Sequence, residues 1–389
     1  MSTSTLDRYS NSSLKSEVFT TSAISQLFRQ RSTATDSIVH TPLSVGQKGV
    51  TPQLDNVAKS QQTGGRKLVK KGDIVINSRS DRRGASGLSD RDGSVSLIYI
   101  VLKPNLEKIN PEFAHHLIRS KGFQEEFYRF GTGIVADLWS TRYERMAQIR
   151  VPLPPMETQQ RIADYLDRET AEIDAAVADL DRYVELLEKR RRAKITFAVE
   201  GKSNLVKDNS TESHPVANLG LVAHAYQPET LSMEALNQSG TFPVFGANGI
   251  IGRHDNFNHE QPQVVIACRG NTCGAVNWTL PKSWINGNAM VINPHAEKLR
   301  KDFLFYVLEI ADYSLVITGS AQPQIIRESL YRLRVPLPPL ETQRRIADYL
   351  DRETTEIDSL IADSTRLRDL LLKRRSVLIT EVVTGRKQV

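Results

Sequence analysis

Arg150-Val-Pro-Leu-Pro-Pro-Met-Glu-Thr-Gln-Gln-Arg-Ile-Ala-Asp-Tyr-Leu-Asp-Arg-Glu-Thr170 recurs almost unchanged within this chain of 389 residues. The second copy runs from Arg334 to Thr354, so that Val151 becomes Val335 at an offset of 184 residues. The likeness continues through Lys189-Arg-Arg and Ile195-Thr196, matched by Lys373-Arg-Arg and Ile379-Thr380, and ends at Gly201-Lys202 against Gly385-Arg386. Roughly two-thirds of the ~50 paired positions are identical, which marks an internal duplication. Two copies are too few for a solenoid; duplication inside one chain instead imitates a symmetric dimer. Such a protein suits a ligand with its own approximate two-fold axis, and duplex DNA is one.

Each copy opens on Val-Pro-Leu-Pro-Pro, whose prolines forbid helix and favour an extended entry. Helix is expected from Glu157 or Thr158, with Ile162 and Leu166 on one face. A second, longer run starts near Thr170, and its apolar positions Ile173, Val177, Leu180, Val184 and Leu187 alternate by four and three, the spacing of a coiled-coil seam. The second copy offers Ile357, Ile361, Leu367 and Leu371, with Leu360, Leu370 and Leu378. A helix from Thr170 to Val199 would be ~45 Å long, and one turn of B-DNA rises ~34–36 Å. A seam of that length needs a partner; the other copy supplies one, and two-fold symmetry implies an antiparallel pair. Lys189 to Arg192 either favour the helix dipole and solvate its end or meet phosphate or a partner subunit, and Gly201 is placed to terminate the helix.

The chain thus divides into a first variable domain (1–149), a first shared helical region (150–202), a second variable domain (203–333) and a second shared helical region (334–389). Lys71-Gly-Asp-Ile-Val-Ile-Asn77 reads like Gln261-Pro-Gln-Val-Val-Ile-Ala267, each an apolar strand before a polar loop. Asn110-Pro-Glu-Phe-Ala-His-His-Leu-Ile-Arg119 has a helical pattern, as does Lys301-Asp-Phe-Leu-Phe-Tyr-Val-Leu-Glu309 in the same relative place. The expected fold class is α+β: two globular α/β domains separated by two long helices in an antiparallel coiled coil, with an internal pseudo-two-fold repeat.

Composition sets the bounds. Lys and Arg total 51 against 45 Asp and Glu, a net charge of +6, which permits a nucleic-acid partner without demanding one. Two cysteines, Cys268 and Cys273, cannot make a disulfide framework and point to a reducing compartment. With His254 and His259 upstream they invite a zinc reading, but the spacing fits no common finger or ribbon, so ordinary thiols and no metal are expected. No stretch approaches the ~18 apolar residues of a membrane span, and the Ser/Thr-rich start lacks a secretory apolar core, so the cytoplasm is expected.

A Val-Pro-Leu-Pro-Pro-x-Glu-(x)-Gln-x-x-Ile-Ala-x-x-Leu segment followed by a long helix and Val-x-Gly, twice per chain, resembles the type I restriction–modification specificity subunit. Phe242-Pro-Val-Phe-Gly-Ala-Asn-Gly-Ile-Ile-Gly-Arg-His-Asp255 and Thr318-Gly-Ser-Ala-Gln-Pro-Gln-Ile325 resemble that family's target recognition domains. The resemblance implies that each variable domain reads one half of a bipartite double-stranded DNA target. It implies that the shared helices set the spacing and dock two methyltransferase subunits, which motor–nuclease subunits join. S-adenosylmethionine, ATP and Mg would sit on those partners, and none on this chain. The first half departs from the pattern: Leu43-Ser-Val-Gly-Gln-Lys-Gly-Val50 replaces the Phe-Pro-Val-Phe-Gly stretch, and Gly131-Thr-Gly133 stands opposite Gly319-Ser-Ala-Gln-Pro-Gln.

No residues are expected to be catalytic. Asn110-Pro111 and Asn293-Pro294 lack the second proline and aromatic of an amino-methyltransferase loop. Phe130-Gly-Thr-Gly133 is not followed by a dinucleotide-binding pattern. Glu200-Gly-Lys202 resembles a nuclease triplet, but its repeat counterpart is Thr384-Gly-Arg386, so it reads as a helix end. Candidate DNA contacts are Lys67, Lys70, Arg79, Arg82 and Arg83 in the first domain, and Arg253, His254, Arg269, Asn271, Gln322 and Gln324 in the second. Arg and Gln suit guanine and adenine edges because each makes paired hydrogen bonds there. A coiled-coil scaffold with protein-binding heads is the alternative reading. A self-sufficient methylating nuclease fails on the missing motifs.

Overall fold

A computed structural model describes residues 19–36, 39–46, 49–53, 65–79, 84–133, 139–202, 214–319 and 322–389. Two units emerge, Met1–Asp181 with Arg366–Val389, and Arg182–Thr365. Each unit therefore holds one head, the first part of one long helix and the last part of the other.

The first unit is built on an antiparallel sheet in the order Phe28–Gln30, Tyr99–Pro104, Ile74–Asn77, Ser86–Leu88. The second repeats that order with Ala223–Tyr226, Ala289–Pro294, Val264–Ala267 and Val276–Trp278. The inner strands are continuous apolar runs because both their faces are covered. Ile74 and Ile76 pack with Phe113 and Leu117 of the helix Pro111–Arg119, while Val75, between them, packs with Val45, Val69 and Val95 of the small strands opposite. Val264 and Ile266 meet Phe303 and Val307 of the helix Lys301–Ile310, and Val265 meets Ile285. Asn110 caps the first of these helices by accepting from the Phe113 N–H at 2.8 Å, with Pro111 at the first helical position.

The first half's departure from the Phe-Pro-Val-Phe-Gly pattern does not change the architecture. Leu43–Gly46 and Gly49–Pro52 form a hairpin with Gly46 opposite Gly49, as Phe242–Gly246 and Gly249–His254 do with Gly246 opposite Gly249. Gly49 and Gly249 have φ of +106° and +94°, conformations that side chains resist.

The repeat shows where head meets helix. The Arg150–Pro152 strand pairs with Thr21–Ala23, and Arg334–Pro336 pairs with Val216–Asn218, the extended entries that the prolines require. Gln159 is 1% exposed; its Oε1 accepts from the Asn110 N–H at 2.8 Å, and its Nε2 donates to the carbonyls of Lys108 at 3.1 Å and Pro154 at 2.9 Å. Gln343, 184 residues later, accepts from the Arg300 N–H at 2.8 Å and donates to Lys298 at 2.9 Å and Pro338 at 2.8 Å. One buried amide in each copy thus ties the start of the head's helix to the proline segment.

Both long helices are continuous, Met156–Val199 and Leu340–Val383, 44 residues each. The expected restart near Thr170 does not occur. No Gly or Pro interrupts the ladder, and Thr170 satisfies its hydroxyl on the Leu166 carbonyl at 2.6 Å, as Thr354 does on Leu350 at 2.7 Å. Gly201 (φ +74°) and Gly385 (φ +75°) end the helices identically, with Lys202 N–H on Phe197 O at 3.0 Å and Arg386 N–H on Glu381 O at 2.8 Å.

Burial marks the seam as Thr170, Ile173, Val177, Leu180, Val184, Leu187, Arg191, Lys194 and Ala198, and at +184 as Thr354, Ile357, Ile361, Ser364, Arg368, Leu371, Arg375, Leu378 and Val382. Leu367, expected on the seam, is 49% exposed, and Leu360 and Leu370 are exposed as well. The alternation by three and four from Ile357 lands on Arg368, one residue and ~100° away. Arg368 is partly buried there, and its guanidinium reaches Asp181 at 3.3 Å, as a long basic side chain at a seam position can.

Within each unit the paired helical segments run antiparallel. In the first, Asp174 meets Arg375 at 2.8 Å and Asp181 meets Arg368 at 3.3 Å. In the second, Arg191 meets Asp358 at 2.8 Å and Lys194 meets Glu353 at 2.6 Å. Among the described residues no helix is long and apolar enough to cross a membrane.

Candidate nucleic-acid interface

The central strand of each head ends at Asn77 or Ala267, and the chain that follows is held by the segment leading into the next helical region. In the second head Ile325 N–H donates to Cys268 O at 3.0 Å and Gly270 N–H donates to Pro323 O at 3.0 Å, which sets Arg269 directly opposite Gln324. A turn closed by Cys273 N–H on Gly270 O at 3.0 Å carries Asn271 outward. Arg269, Asn271, Gln322 and Gln324 are thereby gathered on one exposed edge. Gly319, at φ +85°, keeps that edge tight, since a Cβ there would stand 2.7 Å from the Gln322 carbonyl.

The first head repeats this arrangement. Thr141 N–H donates to Ser78 O at 2.9 Å, and Arg79 stands opposite Ser140, which itself pairs with Thr132 at 2.9 and 3.0 Å. The buried Asn77 side chain accepts from the Arg79 N–H at 2.9 Å and fixes the turn outward. Arg79 and Arg269 are equivalent: the registers Tyr99↔Asn77 and Ala289↔Ala267 fix the offset within the heads at 190 residues. Both arginines are exposed, and neither forms an ion pair with a described residue.

Other expected contacts are engaged elsewhere. Lys67 turns inward, donating to the Tyr99 carbonyl at 2.7 Å, and burial holds its ammonium below the ordinary lysine range. Lys70 pairs with Asp92 at 2.7 Å. Arg253 clamps a neighbouring loop through the carbonyls of Gly240 at 2.6 Å and Thr241 at 2.5 Å. His254 lies 3.1 Å from the Ala235 carbonyl and edge-on to Trp284. Arg82 and Arg83 lie outside the described residues.

Sequence reasoning missed Ser140. It precedes Gln324 by the repeat offset of 184 residues, so extending the duplicated frame back from Arg150 would have reached it. The basic run after Lys189 is also more specific than a solvated helix end: Arg191 bridges Asp358 and Glu309, while Lys189 pairs with Glu185.

The cysteines are free thiols. Cys268 is buried and accepts from the Gln227 amide at 3.1 Å, and burial pushes both thiols above their ordinary range. The described residues hold no group of three or more His, Cys, Asp or Glu placed to share a metal ion.

Two heads of one architecture, each presenting a polar edge and joined to a duplicated antiparallel helix pair, define an internally duplicated, two-domain recognition protein. Residues 35–178 and 216–363 both match the family described as type I restriction modification DNA specificity domain, and the chain belongs to that family. It is 28% identical over 154 residues to a Haemophilus influenzae protein named as a type I restriction enzyme specificity subunit, across 39% of either chain. It is 22% identical over 311 residues to a Methanocaldococcus jannaschii protein named as the MjaX specificity subunit of such an enzyme, across 75% of this chain and 71% of that one. The match with the Haemophilus protein thus spans less than half of that relative's length. Among solved structures, a chain from work on assembly and conformational transition of a type I R-M system has a TM-score of 0.63 at 18% identity, covering 95% of this chain and 99% of that one. The S subunit of a type I system from M. genitalium has a TM-score of 0.50 at 14% identity, covering 95% and 98%. At such identities these structures speak for the fold.

Proposed function

We propose that this chain is the non-catalytic DNA reader of a type I restriction–modification complex, each head recognising one half of a split duplex target. The observation that carries this reading is that sheet order, glutamine clamp and edge geometry repeat between the heads while most side chains on the edges differ, Ser140 standing where the second head has Gln324. Matched frames with unlike edges are what two separate sequence readers require, since phosphate contacts position and base contacts specify.

In this reading the heads comprise residues 1–149 and 203–333, and the helical regions 150–202 and 334–389 set their spacing and dock two methyltransferase subunits. Motor–nuclease subunits complete the assembly, and S-adenosylmethionine, ATP and Mg belong to those partners. The chain itself transfers no methyl group and cuts no DNA.

Selection from a random duplex library, using the chain co-purified with its methyltransferase, tests the reading. A motif of two short specified blocks around an unspecified spacer supports it. Selection of no motif, or of one continuous block, contradicts it. Methyl transfer from labelled S-adenosylmethionine by the rigorously pure chain would contradict the non-catalytic assignment.

A further inference from the structure

Resting on that reading, we propose that Arg79 and Arg269 are the paired specificity determinants of the two heads, each reading a guanine in its own half-site. Their neighbours Ser140 and Gln324 make the two half-sites differ at the adjoining position.

The heads share few side chains on their polar edges, so an identical one at an equivalent place stands out. Each arginine lies two residues beyond the end of the central strand, opposite the residue that leads into the next helical region. Each is fixed from behind by one hydrogen bond, Thr141 N–H on Ser78 O at 2.9 Å or Ile325 N–H on Cys268 O at 3.0 Å. The residues behind them, Asn77 and Cys268, are buried and hydrogen-bonded, so the chain leading to each arginine is anchored in its head's core. By contrast Lys67, Lys70 and Arg253 spend their charged groups on the protein itself.

A guanidinium that pairs with no described residue, on an edge held in this way, matches the O6 and N7 acceptors of guanine by two parallel hydrogen bonds. The residue opposite lies on the same face of an antiparallel pair, with its Cβ ~4.5–5.5 Å away. That separation compares with the ~3.4 Å rise between base pairs, so the opposing side chain addresses a neighbouring pair. Gln324 beside Arg269 favours an adenine next to the guanine, because a primary amide pairs with N6 and N7. Ser140 beside Arg79 serves several bases and leaves that position degenerate.

The test is library selection with the full chain and its methyltransferase, comparing wild type, Arg79→Ala, Arg269→Ala and Gln324→Ala. Wild type should specify a guanine in each half. Arg269→Ala should lose preference at one guanine of one half by roughly 5- to 150-fold while the other half is unchanged, and Arg79→Ala should do the same in the opposite half. Gln324→Ala should relax an adenine adjoining the Arg269 guanine. If either arginine variant weakens all sequences alike and lowers the salt dependence, that arginine contacts phosphate and the proposal fails. Unaltered selection by both variants would also overturn it, with the split-target reading left standing. A wild-type chain that selects no split motif would remove that reading itself.

Discussion

Arg375 holds Asp174 by two hydrogen bonds, at 2.8 and 3.0 Å, across the paired helices of the first unit. The repeat makes the same contact in the second unit, where Arg191 reaches Asp358 at 2.8 Å. The two copies differ in what surrounds them. Arg191 has a second carboxylate, Glu309 at 2.7 Å, whose equivalent in the first head is Arg119. Burial first, and Arg375 second, push the Arg119 guanidinium below its ordinary range.

Exchanging the partners measures this pair. Asp174→Arg alone sets like charges together on the seam, and Asp174→Arg with Arg375→Asp restores attraction in reverse. A double-mutant cycle on thermal or denaturant stability should give a coupling of about 0.5–1 kcal/mol, as for a half-exposed ion pair. A coupling of zero would mean that the contact does not stabilise the antiparallel pairing.

The buried glutamines should matter more than any surface ion pair. Gln159→Leu removes the partners of three backbone groups, and each buried group left unsatisfied costs about 1–3 kcal/mol. The first head should become markedly less resistant to denaturant, and Gln343→Leu should do the same to the second. Amide exchange confined to Pro111–Arg119 for the former and Lys301–Ile310 for the latter would localise each effect.

Acid should loosen the first head through His115. Burial holds this imidazole down at about 3, and its Nδ1 accepts from the Leu88 N–H at 3.1 Å, so the folded ring is neutral. The unfolded chain takes up a proton at an ordinary histidine pKa near 6.5, so stability present above that pH declines as pH falls toward 3. Protection of Pro111–Arg119 should fall by up to about 1.4 kcal/mol per pH unit across that window. His115→Gln should flatten the slope; an unchanged slope would assign the acid response to another group.

If the helices set the spacing of the target, lengthening them should lengthen its spacer. Four residues inserted after Leu180 and after Ser364, equivalent seam positions, add ~6 Å while nearly preserving the seam face. The unspecified spacer should grow by one or two base pairs, at ~3.4 Å each, with both half-sites unaltered. Two-residue insertions should turn the seam out of register and impair assembly. A parental spacer in an active four-residue variant would show that the helices connect without measuring.

Much of this architecture is legible in the sequence because duplication amplifies it. Prolines and a terminal glycine each appear twice, an apolar three–four alternation marks the first helix, and the strands before Asn77 and Ala267 stand out as apolar runs. What misleads is reading hydrophobicity instead of position. Leu367 looks like a seam residue and is exposed, whereas Arg368 occupies the seam because a long basic side chain can cover apolar surface and still reach water. The interface is harder to read, because an arginine on a recognition edge and one clamping a loop have the same letter. Arg269 and Arg253 are separated only by the carbonyls of Gly240 and Thr241, which sequence does not place beside Arg253.

Exchange of residues 203–333 for the corresponding domain of another family member tests most directly whether the heads read independently. The methylated motif of the reconstituted complex would be mapped before and after the exchange. One half of the split motif should change, while the other half and its bases persist. A change in both halves together, or in neither, would contradict the account.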